Sequence, residues 1–134
     1  MIGKIVIDAA NAPLGRVASF AAKKALLGNS VFIVNCNESI ISGRKRSIID
    51  EYKIARTRGG SSLRGPNFPR IPERIMKRTV RGMLDYTQGR GREAFKRILC
   101  YNGVPAEHVN AKKINLQKEF KDKTLTLKNL SNEI

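Results

Sequence analysis

Arg74, Lys77, Arg78 and Arg81 fall three and four residues apart, a spacing that stacks side chains along one face of an α-helix. Cations arrayed in this way have a definite chemistry. An arginine's planar fork can give a phosphate two parallel hydrogen bonds and can lie flat on a base, which a lysine cannot do. Met76, Val80 and Met83 occupy the opposite face of the same pattern, and Pro72 and Glu73 suit its first turn. The spacing predicts a helix with one side for a core and one for a polyanion.

The same chemistry recurs around it. Residues 53–97 hold 13 basic and 3 acidic side chains, a net of +10, and ten of the 13 are Arg. Residues 1–52 carry 7 basic against 4 acidic, and residues 98–134 contain six Lys and no Arg. Over the whole chain 26 Lys and Arg face 11 Asp and Glu, a formal charge of +15 that repels itself unless a polyanion is near. Most charge runs are merely solvated surface, but the Arg bias and the register opposite an apolar stripe favour nucleic-acid binding. Helix-turn-helix, zinc-finger and basic-zipper patterns are missing, and the cations spread over helix, loop and turn, which suits folded RNA better than duplex DNA. The candidate binding residues are Arg16, Arg44, Arg46, Arg56, Arg58, Arg64, Arg70, Arg74, Lys77, Arg78, Arg81, Arg90 and Arg92.

Other arrangements fall short of the chemistry they suggest. Asp8 to Arg16 joins a strand to a helix, where mononucleotide sites form, but neither GxxxxGK[ST] nor GxGxxG occurs. The structural reading suffices there: Asn11 turns the chain, Pro13 starts the helix and Gly15 allows close packing. His108 is the single histidine, and beside Glu107 it is the first pair to test in an RNA-processing enzyme, although no nucleophile motif accompanies it. The acidic residues show neither DxD nor HExxH spacing, and Cys36 and Cys100 form no CxxC, so no metal or cofactor is expected. Both cysteines read as small core residues of a reducing compartment.

These side chains require a scaffold, and the apolar pattern supplies one. Ile5, Val6 and Ile7 form a buried-strand run, and Leu14, Val17, Ala18, Ala21, Ala22 and Ala25 trace a helical stripe that ends at Gly28-Asn29. Val31 to Val34 follows as a second strand, giving strand, helix, strand with a connection long enough for a parallel crossover. Ser39 to Ile41 reads as extended, and Ser42 as the cap of a helix with Ile48, Tyr52 and Ala55 on one face. Residues 59–69 are a Gly, Ser, Pro and Arg loop, Gly89 to Arg92 a turn, Glu93 to Lys96 a brief helix and Ile98 to Tyr101 a strand. In Gly82, inside a helical pattern, the reading is either close approach of a backbone or the helix's end. The tail from Ala111 is polar, with Leu125, Leu127 and Leu130 able to dock and Thr126 able to cap a last helix. The expected organisation is one α/β RNA-binding domain over residues 1–110 and a Lys-rich extension over 111–134. No apolar run approaches membrane length and no signal-peptide pattern opens the chain, so neither a membrane nor secretion is expected.

Several ordered blocks carry a family resemblance. Ile7-Asp8-Ala9 is followed by Leu14-Gly15-Arg16-Val17-Ala18-Ser19, then by Arg78-Thr79-Val80-Arg81-Gly82-Met83-Leu84. Arg90-Gly91 then leads to Tyr101-Asn102-Gly103-Val104-Pro105. From Ile5 to about His108 the chain resembles the large-subunit ribosomal protein L-thirteen family, and residues 65–70, Gly-Pro-Asn-Phe-Pro-Arg, look closer to its archaeal and eukaryotic members. Asp85, where the family commonly has proline, and Ala106 to Val109 depart from its pattern. The resemblance implies a three-layer α/β/α fold around a small, mainly parallel sheet, contact with large-subunit rRNA and neighbouring ribosomal proteins, a role in assembly, and no catalysis. A cytoplasmic, ribosome-bound protein with no small-molecule substrate is the resulting expectation. A free-standing nucleic-acid chaperone is the alternative, and an RNA-processing enzyme the third.

Overall fold

The computed structural model describes residues 3–57, 71–85, 87–109, 112–116 and 124–133, with backbone only at 55–57 and 108. Strand β1 (Lys4–Asp8), helix α1 (Leu14–Leu26) and strand β2 (Ser30–Val34) come first. Strand β3 (Ile40–Ser42), helices α2 (Lys45–Thr57), α3 (Pro72–Gly82) and α4 (Gly89–Lys96) and strand β4 (Ile98–Cys100) follow. Strands β5 (Lys113–Asn115) and β6 (Thr124–Thr126) and helix α5 (Leu127–Glu133) come last. The sheet order is β4-β2-β1-β5 with every pairing parallel, and β3 pairs antiparallel with β6 in a separate small sheet. This mainly parallel sheet with its five helices is the three-layer α/β class expected.

The register shows how the core is made. Ile7 pairs with Ile33 and Val31 with Ile98, so these residues share one sheet face, and all are fully buried. Against them α1 turns Val17, Ala18, Ala21, Ala22 and Ala25, whose small side chains let α3 and α4 pack close to it. Gly28 at φ 101° closes α1 in a conformation that favours glycine, and its N–H donates to the Ala25 carbonyl at 3.0 Å. Arg97 donates to that same carbonyl at 2.7 Å, supplying a cation at the helix's negative end. The segment after residue 110 adds β5 beside β1 and puts Leu125, Leu127 and Leu130 into the core, while Thr126 Oγ1 accepts the Asn129 N–H at 3.2 Å and caps α5.

Four local expectations are corrected. Ser42 lies in β3 and caps nothing: α2 begins at Lys45, because Ser42 is held in the ladder opposite Thr124. Gly89 to Arg92 is the first turn of α4, with the Arg92 N–H donating to Gln88 O at 3.0 Å. Gly91 makes that turn possible, since a methyl group there would lie 2.0 Å from the Asp85 carbonyl oxygen. Gly15 serves no close packing, because a Cβ on it would meet nothing within 4 Å. Pro13 stands one residue before α1 in extended conformation instead of inside it. For Gly82 the simpler reading holds: α3 ends there and no neighbour approaches within 4 Å.

Candidate nucleic-acid interface

Helix α3 divides as its sequence predicts at Met76, Val80 and Arg74, but Ile75 joins the core, and Met83 and Lys77 depart from the sides expected of them. Met76 and Val80 are fully buried and Ile75, which the pattern did not single out, is buried beside them, whereas Met83 follows the last helical turn and is 44% exposed. Arg74 is exposed and Arg78 and Arg81 are half-buried along the other side. Lys77 turns inward. Its Nζ donates to the Phe95 carbonyl at 3.2 Å and to the Ile98 carbonyl, and lies 4.5 Å from the Phe95 ring centroid. Burial pushes the Lys77 pKa below the ordinary lysine value, because the ammonium gives up water it only partly replaces. The residue therefore ties α3 to α4 and β4, a role its place in the basic register concealed.

The other candidates spread over several elements. Arg16 is exposed in the first turn of α1, Arg44 and Arg46 at the start of α2, and Arg90 and Arg92 in the first turn of α4. Arg56 lies in α2, and Arg58, Arg64 and Arg70 fall outside the described residues. No ion pair or hydrogen bond among the described residues engages the guanidinium of Arg16, Arg44, Arg46, Arg74 or Arg90. Packing of α1 against α3 and α4 brings Arg90 beside Lys23 at one groove, and Lys23 was not foreseen. Its only sequence signal is a basic pair, Lys23-Lys24, in the last turn of α1.

The remaining chemistry is structural. At the strand-to-helix junction Asp8 Oδ1 accepts the Ala10 N–H at 3.0 Å and Asn35 Nδ2 at 3.1 Å, and the Asn11 and Ala12 amides donate to the Glu38 and Ala9 carbonyls. These amides are already spent, so they cannot cradle a nucleotide phosphate. Asn11 and Asn35 both adopt φ 57°, the left-handed conformation that asparagine tolerates in turns. Cys36 is fully buried and Cys100 half-buried, both as free thiols. A hydrogen bond with Cys100 and burial raise the Cys36 pKa far above the thiol range. Among the described residues no group of three or more His, Cys, Asp and Glu could hold a metal, and no helix is long and apolar enough to cross a membrane.

A parallel α/β body with arginines on the outer side of core-forming helices defines a class, that of compact basic proteins with a rigid cationic face. Residues 3–107 match the family model described as Ribosomal protein L13, and the chain belongs to that family. It is 45% identical over 112 residues to the large ribosomal subunit protein uL13 of Methanococcoides burtonii, covering 84% of this chain and 80% of the relative. The protein of that name from Methanosarcina barkeri is 48% identical over 76% of this chain and 73% of its own length. The one from Methanocaldococcus jannaschii is 42% identical over 96% of both chains. The family is structural and not enzymatic, so the pair His108 and Glu107 has no catalytic role to fill.

Proposed function

We propose that the chain is a structural constituent of the large ribosomal subunit that binds and organises large-subunit rRNA during assembly, in the cytoplasm and beside neighbouring ribosomal proteins. Family membership supports the ribosomal part of this reading. The contact face rests on one observation: α3 commits Ile75, Met76 and Val80 to the core while Arg74, Arg78 and Arg81 ride on its other side. Arginines on such a helix displace counterions from phosphates and hold RNA segments at a fixed spacing, with specificity drawn from RNA shape. The exposed arginines on or beside α1, α2 and α4 are further candidates for contact, as are Arg56, Arg58, Arg64 and Arg70 on sequence grounds.

The test is affinity for large-subunit rRNA across a salt series, with Arg74, Arg78 and Arg81 replaced by Ala singly and together. Each single change should weaken binding and flatten the log-log salt slope by about 0.7 to 0.9 on counterion-release reasoning. The melting temperature of the free protein should barely move for Arg74→Ala. A triple variant with unchanged affinity and slope would remove α3 from the interface and move it to residues 59–70.

A further inference from the structure

A groove of about 460 Å³ lies between the second half of α1, the end of α3 and the start of α4. Leu26, Leu27 and Met83 make it apolar, and Ser19, Lys23 and Arg90 line it as well. Leu27 is 58% exposed and Met83 44%, and each follows the last turn of its helix, where helical periodicity no longer assigns it to the core. No ion pair or side-chain hydrogen bond among the described residues engages Lys23 or Arg90. Beside Met83 and Arg90 stand Gly82 and Gly89, both exposed, where a methyl group would meet nothing within 4 Å. The protein's own packing does not require these glycines, whose bare backbone leaves open space next to two residues that line the groove.

We infer that this groove receives one unpaired nucleotide turned out of the bound RNA, a site that rests on the rRNA-binding reading above. The base lies against Leu27 and Met83, and the phosphates on either side of it meet Lys23 and Arg90. The Arg90 guanidinium also offers a plane on which a base stacks. Ser19 Oγ donates to the Arg16 carbonyl at 3.1 Å, which leaves its lone pairs for an N–H donor on the base edge. Charge decides between occupants. The two charged residues lining the groove are both cations on a chain of net charge +15, which a nucleotide with its phosphates complements and an apolar protein segment does not.

The experiment compares two RNA hairpins that differ only in a single bulged 4-thiouridine, absent from the fully paired one. The wild-type chain should prefer the bulged hairpin and, on irradiation, crosslink its thiouridine to a peptide containing Leu27 or Met83. Leu27→Ala with Met83→Ala, and separately Met83→Glu, should lower that preference by about five-fold or more, the lower end of what stacking one base contributes. Affinity for the paired hairpin should stay as it was for the alanine pair, and thermal melting should show all variants folded. Variants that keep the preference, or a wild type that binds both hairpins equally without a crosslink in the groove, would overturn the nucleotide site and leave RNA binding intact. A wild type that binds neither hairpin nor large-subunit rRNA would overturn the underlying reading itself. A crosslink placed at Met83 that captures a protein instead of rRNA in the assembled subunit would assign the groove to a protein partner and end the proposal.

Discussion

Replacing Lys77 with Ala should weaken the fold and leave the hold on RNA almost untouched, although Lys77 belongs to the same basic register as Arg74 and Arg81. Its ammonium donates to the Phe95 and Ile98 carbonyls and lies 4.5 Å from the Phe95 ring centroid. A hydrogen bond with a charged donor contributes roughly 1.5–3 kcal/mol and a cation–π contact about 0.5–1 kcal/mol. Against these stands the cost of half-burying an ammonium, visible in its lowered pKa. Truncation removes that cost along with the bonds, so a net loss of about 2 kcal/mol is expected. With a urea slope of about 1–3 kcal/mol per molar, the unfolding midpoint should fall by roughly 1 M. The pH dependence has a definite sign. A lysine whose pKa is lowered by folding binds its proton less tightly in the native state, so the burial cost is fully present at neutral pH. That cost is relieved as pH rises through the lowered value toward the ordinary 10.5, and the stability gap between wild type and variant should widen over that window. Urea unfolding by circular dichroism, run beside rRNA binding in a salt series, reads both properties. Arg74→Ala, one turn earlier, should do the reverse. A Lys77→Ala protein with the wild-type midpoint and a flatter salt slope would refute the reasoning and return Lys77 to the RNA face.

Met76→Ala should cost roughly 2 to 5 kcal/mol of stability in urea, as for a fully buried methionine, with RNA binding lost only as folding is lost. Gly91→Ala should destabilise the chain severely, because the new methyl meets backbone at 2.0 Å, whereas Gly82→Ala and Gly89→Ala, with open space around them, should gain about 0.4–1 kcal/mol in calorimetric melting. Cys36, fully buried with its pKa raised by its Cys100 hydrogen bond and by burial, should resist iodoacetamide at pH 8 until the chain unfolds. Mass spectrometry showing Cys36 modified in the native protein would contradict that assignment.

What the sequence disclosed and what it hid follow from where each signal is made. Helix α1 was legible because its six buried residues repeat along one stripe and its stop, Gly28-Asn29, is local. The split of α3 was legible for the same reason, as was the Thr126 cap, which acts across three residues. Ser42 was misread because the strand that claims it, β6, comes from the far end of the chain. The turn expected at Gly89 to Arg92 is helix, and its Gly91 answers to the Asp85 backbone, which lies where any side chain on residue 91 would project, a contact that glycine content alone does not reveal. Lys77 could not be told from its arginine neighbours by spacing, since the carbonyls that hold it belong to α4 and β4. Periodicity assigns a side to a residue, and only tertiary contact says whether a cation on the boundary between sides points in or out.

That boundary explains how a chain of charge +15 can offer an ordered cationic surface. Had the arginines been carried on a disordered tail, binding would have to offset the entropy of ordering them. Here the opposite sides of α1 and α3 form the core, so the cost of fixing those backbones is met when Val17, Ala21, Met76 and Val80 are buried. Salt consequently acts on the two states in opposite senses. Added ions screen the self-repulsion of a chain of net charge +15 and so favour the free fold, while the same ions would compete for phosphate and loosen the proposed complex. On the proposed reading, raising salt should therefore move the melting temperature of the free protein and its affinity for rRNA in opposite directions.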